Sequence, residues 1–336
     1  MDTLLEIKDL HVQYRTDDGF VYALNGVDLE LAKGETLGLV GETGAGKTTT
    51  ALSVLRLLPE RIGSITQGTV ALNGEALTAL SEAQMRHIRG NKVSMIFQDP
   101  MTSLNPIIPV GEQIKEAILL HEKLSKSECE QRVDEMLAAV GLQPARKNEY
   151  PHQFSGGMKQ RIVIAIALAC NPELLLADEP TTALDVTIQA QVLQLMNDLK
   201  KKFNTGMLLI THDLGVVAQT CDRVAIMYAG KIIEAGLIRD IYEGPEESHH
   251  PYTIGLFKSI PEMNKDAKRL HPIPGLMPDP MTRHKGCAFC DRCPRRLERC
   301  QAEIPGQYRN GAHSVSCFLF EGKWEHAMKE EANTRA

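Results

Sequence analysis

Gly41-Glu42-Thr43-Gly44-Ala45-Gly46-Lys47-Thr48 decides how the rest of the chain is read. These residues fit G-x-x-x-x-G-K-[ST], a loop whose backbone N–H groups turn inward around phosphate oxygens. Glycines permit that turn because they lack a Cβ. The apolar run 36–40 precedes the loop and the apolar stretch 51–58 comes after it, so the setting is strand, loop, helix. The N-terminus of such a helix adds partial positive charge. Lys47 would reach the β- and γ-phosphates, and the Thr48 hydroxyl would ligate Mg²⁺.

The chain has 336 residues, 24% charged and 43% hydrophobic, with a formal net charge of −6. That length accommodates two domains, or one large domain with an appendage. The negative charge argues against bulk binding of nucleic acid or an anionic membrane. The longest purely apolar run, 162–170, is far short of the roughly 20 residues a membrane-spanning helix needs. Met1-Asp2-Thr3-Leu4-Leu5-Glu6 has no basic region leading into an apolar core, so no signal peptide is expected. The expected location is the cytosol, with docking on a membrane partner left open.

Upstream of the loop the chain reads as strands. Leu5, Ile7, Leu10 and Val12 stand among polar neighbours, and Val27, Leu29 and Leu31 alternate. Asp17-Asp18-Gly19 marks a turn between them. Downstream, a helix is expected over 47–58, a strand over 70–72 entering a tight turn at Asn73-Gly74, and a buried strand over 93–97. Ile114, Ile118, Val133, Leu137 and Val140 recur at helical spacing, predicting a helical insertion over 110–141. Helices over 155–170, 187–203 and 213–220 then alternate with strands over 174–177, 207–211 and 223–228. That alternation predicts a mostly parallel sheet covered on both faces. Pro245, Pro251, Pro261, Pro272, Pro274, Pro278 and Pro280 punctuate the next stretch and leave room for one short helix near 252–259. The main boundary is placed near 245, and the charged residues 326–336 are expected to fray.

Leu174-Leu175-Leu176-Ala177-Asp178-Glu179 is an apolar strand ending in two acids. Parallel sheets bind ligands at strand ends. There Asp178 suits Mg²⁺ coordination, directly or through water, and Glu179 suits a general base that polarises an attacking water. Without the upstream loop, two solvated acids capping a strand would be the plainer reading. Phe154-Ser155-Gly156-Gly157-Met158 opens a helix, and a Ser-Gly-Gly turn at a helix N-terminus is an anion cradle. Gln98, at the end of strand 93–97, can contact Mg²⁺ or the attacking water, and His212, after strand 207–211, can hydrogen-bond a γ-phosphate. A lone Gln or His in such a place is usually structural; the neighbouring motifs give these two a role.

In this order, the segments resemble the nucleotide-binding subunit of an ABC transporter over about residues 4–245. The resemblance implies an α/β, P-loop NTPase fold: an ABC-type ATPase core over 1–245 with an antiparallel β-subdomain and a helical subdomain at about 99–170, then a small Cys-rich C-terminal extension over 246–325. It makes Gly41, Glu42, Thr43, Gly44, Ala45, Gly46, Lys47, Thr48 and Thr49, with Gln98 and Asp178, the ATP-binding residues. Mg²⁺ would be held through Thr48, Gln98 and Asp178, and Glu179, His212 and Gln98 would be the catalytic group. Tyr14 would stack on adenine, with Tyr22 the second choice. Ser155, Gly156, Gly157 and Met158 would form the signature that meets a partner's ATP, and Ala183-Leu184-Asp185 the D-loop. The family's usual signature is Leu-Ser-Gly-Gly-Gln; here Phe154 and Met158 flank an intact Ser-Gly-Gly.

Gln98-Asp99-Pro100-Met101-Thr102-Ser103-Leu104-Asn105-Pro106 is similar to the Q-loop of oligopeptide and dipeptide importers. His250-Pro251-Tyr252-Thr253 and Ile273-Pro274-Gly275 look like the C-terminal extension of that branch, and nickel importers share part of the pattern. The resemblance implies an ATPase that energises uptake of di- or oligopeptides, with nickel or a metal chelate as the alternative cargo. A second ABC ATPase subunit, expected to be a different chain, would complete each ATP site. Two membrane permeases and, indirectly, an extracytoplasmic solute-binding protein would be the other partners; nucleic acid would not. The subunit would sit peripherally on the cytoplasmic face of the membrane. A soluble ABC-type ATPase of DNA repair or translation is the rival from another class, but such proteins carry a coiled-coil insertion or two fused ATPase units, absent here. A non-hydrolysing module would lack Glu179 or His212.

Cys129, Cys170 and Cys221 are scattered, whereas Cys287, Cys290, Cys293, Cys300 and Cys317 crowd the C-terminal part. In a reducing cytosol that crowding suggests a metal site rather than disulfides. Four thiolates can hold tetrahedral Zn²⁺ or an iron–sulfur cluster. The C-x5-C-x6-C-x16-C series lacks the C-x2-C knuckles of structural zinc unless Cys290 takes part. The family resemblance implies a [4Fe–4S] cluster on Cys287, Cys293, Cys300 and Cys317; Zn²⁺ is the alternative, and unligated thiols the third reading. Arg283, Lys285, Arg292, Arg295, Arg296 and Arg299 would offset the anionic charge. The expected role is to clamp a segment too poor in apolar residues to fold alone.

Overall fold

A hairpin opens the chain in the computed structural model, which describes residues 2–182, 184–259 and 272–326. Strands β1 (Thr3–Thr16) and β2 (Gly19–Ala32) pair antiparallel across Asp17 and Asp18. The apolar positions of β1 change parity between Ile7 and Leu10, and the register slips there, with Asp9 at φ 46. A bulge of this kind inserts one residue and so returns Leu10 and Val12 to the buried face. β3 (Thr36–Val40) leaves for a second sheet, while β4 (Gly63–Leu72) and β5 (Glu75–Ala76) complete the first in the order β2-β1-β4-β5.

Helix α1 (Lys47–Val54) comes directly after the loop and stops short of the expected residue 58. Arg56 takes φ 51, and its guanidinium hydrogen-bonds the carbonyls of Leu77 and Leu80, which turns the chain out of the helix. α2 (Glu82–Ile88) starts at a Ser81/Gln84 capping box, and β6 (Val93–Ile96) and α3 (Pro100–Ser103) come next. The helical insertion resolves into α4 (Val110–Leu119) and α5 (Lys126–Ala139), the second begun by a Ser125/Glu128 capping box. Both pack on α6 (Gly156–Leu168); Ile114, Ile118, Val133, Leu137, Val140, Ile162 and Ile164 share one core.

β7 (Leu174–Asp178), α7 (Val186–Phe203), β8 (Gly206–Thr211), α8 (Leu214–Thr220) and β9 (Arg223–Tyr228) alternate as expected. Strands β6, β7, β8, β3 and β9 run parallel in that spatial order. Every residue of β3, β7 and β8 is buried, which is why these strands read as unbroken apolar runs. Val40 lies opposite Thr211 and Asp178 opposite Ile210. The phosphate loop, Glu179 and His212 therefore leave the sheet at one edge, side by side.

The alternation of helix and strand does not announce β10 (Lys231–Leu237), which turns back antiparallel on β9. After it come α9 (Ile238–Tyr242), α10 (Pro251–Lys258), β11 (Tyr308–Asn310), β12 (His313–Val315) and β13 (Glu325–His326). β12 pairs with β10, so residues beyond 245 continue the second sheet in the order β13-β11-β12-β10-β9-β3-β8-β7-β6. Pro261 and, apart from His326, the expected frayed tail lie outside the described residues.

One buried carboxylate fastens this extension. Glu234 of β10 accepts His249 Nδ1 and His313 Nε2 on Oε1, each at 2.8 Å. Its Oε2 accepts the His250 amide at 2.8 Å and the Thr253 hydroxyl at 2.5 Å. Burial alone would push the Glu234 carboxyl up, but the bonds from His249, His313 and Thr253 hold it down at about 2. His249 is raised: burial works against its charge, and the bond to Glu234 outweighs it. Burial pushes its neighbour His250 down to about 4.

Candidate nucleotide site

The loop is shaped from behind by the two sheets. Gly46 caps α1 at φ 107, and a Cβ there would come within 2.8 Å of the Ala23 carbonyl oxygen. Lys47 is buried, and its Nζ donates to the carbonyls of Gly41 at 2.7 Å and Glu42 at 3.1 Å. Burial pushes the ammonium down from its ordinary range, against the upward pull of Glu179, Asp178 and Glu42. Asp178 is buried too, which raises its carboxyl; a hydrogen bond with the Thr48 side chain pulls the other way. A hydroxyl bonded to a carboxylate at this spot is a hard-oxygen pair suited to Mg²⁺.

Glu179 sits at φ 44 just past β7 and is gripped from three sides. Its Oε2 accepts Gln98 Nε2 and Thr182 Oγ1, each at 3.0 Å, and its Oε1 lies 3.2 Å from His212 Nδ1. Burial raises the carboxyl, but bonds from His212 and Thr182, with the charges of His212 and Lys47, outweigh it and hold the pKa below its ordinary 4.5. The group is ionised at neutral pH, as a base must be. Thr182 is not among the residues expected from the motifs; nothing in Pro180-Thr181-Thr182 separates one hydroxyl from its neighbour.

Thr43, Gly44, Gly46, Lys47, Thr48 and Thr49 line one wall of a cleft of about 570 Å³, with Gln98, Glu179 and His212 beside them. That volume is in the range of small-molecule sites. Tyr14 and Tyr22 both line the cleft, so the structure leaves both aromatics in play. Tyr14 Oη lies 3.1 Å from Thr49 Oγ1, whereas the Tyr22 ring lies under the Arg283 guanidinium at 4.5 Å. Gly41, Glu42 and Ala45 are not on the wall; Glu42 points its carboxylate at Arg292 Nη1, 3.0 Å away, and its amide at Tyr252 Oη, also 3.0 Å.

Residues 24–182 match the family model described as "ABC transporter", and 233–300 match "Oligopeptide/dipeptide transporter, C-terminal region". The chain is 49% identical over 331 residues to the dipeptide transport ATP-binding protein DppD of Bacillus subtilis, covering 98% of each. The chain belongs to the ATP-binding proteins of the ABC oligopeptide/dipeptide transporters. It is 51% identical to the oligopeptide transport ATP-binding protein OppD of the same organism, over 94% of this chain and 88% of that one. The dimeric post-hydrolysis structure of the ATP-binding cassette MJ0796, bound to ADP and Pi, matches with TM-score 0.63 and 28% identity over 70% of this chain and 99% of that one. This chain is an ABC-type ATPase.

The expected signature residues 155–158 lie apart from this chain's own cleft, and none of them lines it. Ser155 caps α6 by accepting the Met158 amide at 3.4 Å. The backbone of Gly157 approaches α7 so closely that a Cβ would lie 2.6 Å from Ile188 Cγ2. Met158, flanking the turn, brings its Sδ to 3.8 Å from Arg146 Nη1, and Arg146 also covers the Phe154 ring at 4.2 Å. Asp185 caps α7 by accepting the Ile188 amide at 3.0 Å, while Ala183 lies outside the described residues. The Ser155–Gly157 turn and the start of α7 therefore abut within one chain.

Burial pushes the Cys317 thiol up to about 12, and Cys287, Cys293 and Cys300 each add to the push. Cys287 is pushed up to about 11 by burial, with Cys300, Cys293 and Cys290 adding to it. Among the described residues no three of these sulfurs come within 4.8 Å of one another, whereas Zn–S bonds of about 2.3 Å would draw four thiolates to roughly 4 Å apart. Among the described residues the trio that does close within 4.8 Å is Glu234, His249 and His313, already joined by direct hydrogen bonds.

Proposed function

We propose that this chain is the ATP-hydrolysing subunit of a peptide importer, and that ATP binds in the cleft with its phosphates on 43–49. The observation that carries the reading is the convergence of Gln98, Thr182 and His212 on Glu179 beside Lys47 in one cleft. Glu179, held ionised, orients and deprotonates a water for in-line attack; His212 and Gln98 fix its two oxygens. Lys47 exchanges its two loop carbonyls for phosphate oxygens, whose charge offsets the desolvation of its ammonium. Thr48 and Asp178 would hold Mg²⁺, with Gln98 within reach of the same region; the ion would supply neutralisation of phosphate charge.

Ser155, Gly156 and Gly157 are an anion cradle that their own cleft does not use. In this reading they close on the ATP of a facing second ATPase subunit, and Asp185 lies at that seam. The membrane permeases turn closing and opening into transport. Peptide as cargo is supported by the names of the relatives and by the match of 233–300. Among the described residues no helix is long and apolar enough to cross a membrane, in keeping with a peripheral subunit on the cytoplasmic face. Tagged chain drawn from detergent-solubilised membranes should bring down two permeases and a second ATPase. Recovery with nucleic acid and no membrane protein would overturn the assignment.

The cysteine group is read as a [4Fe–4S] site on Cys287, Cys293, Cys300 and Cys317. Burial and the influence of Cys287, Cys293 and Cys300 on Cys317 support a four-thiolate ligand set, with Zn²⁺ the alternative occupant. Such a cluster would supply a clamp for residues 287–317.

A further inference from the structure

We propose that residues 277–284 of the C-terminal extension form the wall of the cleft that contacts the nucleoside half of the bound triphosphate. The inference rests on the nucleotide reading above and deepens it. The cleft has a phosphate end, marked by Lys47, Thr48 and Glu179. Beyond that end the lining comes from β1 and β2, with Tyr14 and Tyr22, from the turn at Ala229 and Gly230, and from five residues between Met277 and His284. A triphosphate seated on Lys47 places its base and ribose among these surfaces. Met277 and the prolines offer an apolar face for a base, and Thr282 and His284 offer polar atoms to ribose hydroxyls or a base edge.

The segment is held, not merely near. The Tyr22 amide donates to the Pro280 carbonyl at 2.8 Å, so the strap continues along β2. The Arg283 guanidinium stacks 4.5 Å above the Tyr22 ring. Asp279 Oδ1 accepts the Met281 amide at 2.9 Å and fixes the turn between them. At its root Arg292 Nε donates to the Pro274 carbonyl at 3.0 Å and Nη2 to that of Ile273 at 3.3 Å. The same guanidinium reaches Glu42 Oε2 at 3.0 Å, so one side chain ties the root of the strap to the phosphate loop. Prolines stiffen the wall before ligand arrives, which lowers the ordering cost of binding.

The test is calorimetric titration of the full-length chain with MgATP and with magnesium tripolyphosphate, which carries the phosphates and no nucleoside. Arg283→Ala combined with His284→Ala should raise the Kd for ATP about tenfold while leaving that for tripolyphosphate unchanged. An unchanged ATP affinity, or an equal fall for both probes, overturns the inference. Lys47→Ala serves as the reference and should weaken both probes. If Lys47→Ala weakens both but the strap variant spares ATP, only the strap is refuted. If Lys47→Ala spares both, the nucleotide reading falls and the strap with it.

Discussion

His212 Nδ1 stands 3.2 Å from Glu179 Oε1, joining the ends of two neighbouring parallel strands. The imidazole is largely exposed and the carboxylate largely covered, so the pair presents one ionised oxygen pair to the cleft with its orientation set. Glu179→Gln keeps the shape and loses the basicity. Turnover measured as phosphate release should fall at least about a hundredfold, the usual scale for removing a positioned general base. Size-exclusion chromatography with ATP should then show a persistent closed dimer with the partner subunit. Because Glu179 is held below 4.5, the wild-type rate should lose its acid limb only below that pH.

Lys47 spends its hydrogen bonds on two loop carbonyls until a phosphate arrives. Lys47→Ala should abolish detectable MgATP binding by calorimetry without lowering the melting temperature, since the side chain bridges residues only within its own loop. Wild-type affinity in that variant would remove the loop from the mechanism.

Gly157→Ala separates the two halves of the composite site. The added methyl would press on Ile188 Cγ2 from 2.6 Å and shift the signature turn. ATP affinity of the isolated chain should stay within about twofold, while turnover of the assembled pair should fall about tenfold or more, as expected when aligned anion donors are displaced. Equal loss in both assays would mean that the turn serves its own chain.

Glu234→Gln leaves two imidazoles facing an amide that can accept from only one oxygen, and it should cost about 3–5 kcal/mol, read from chemical denaturation. The pH dependence has a definite sign. His249 is raised, so its contribution is complete below 6.5 and fades as pH rises through its folded value. Glu234, held at about 2, contributes above 4.5 and is lost only as pH falls toward 2. The gap between wild type and variant should therefore be widest between pH 4.5 and 6.5 and narrow above. His250, at about 4, opposes this in both proteins by costing stability as pH falls from 6.5 to 4.

Chain purified without oxygen should be brown, with iron and acid-labile sulfide near ~4 each per chain. Colourless protein with one equivalent of zinc would decide for the alternative.

Much of the core was legible because its signals are local. Buried parallel strands are apolar along their whole length, so 36–40, 174–177 and 207–211 could be placed to within a residue or so. A change of parity from Ile7 to Leu10 already encodes the bulge at Asp9, though it reads as noise until the partner strand is seen. By contrast β10, β11, β12 and β13 escape the pattern. β10 mixes charge and small residues with its isoleucines, and β11, β12 and β13 are too short to carry a period.

Motifs named the phosphate loop, the two acids, the signature and the histidine, because each must carry its chemistry in a fixed run of neighbouring residues. The Glu234 hub and the Arg292–Glu42 pair have no such run. They join positions up to 250 apart, and only the folded sheet brings those ends together. Composition and spacing settled which chemical groups this ATPase owns; tertiary closure settled which of them touch, because contact at long sequence separation depends on how strands stack and not on what lies next to a residue in the chain.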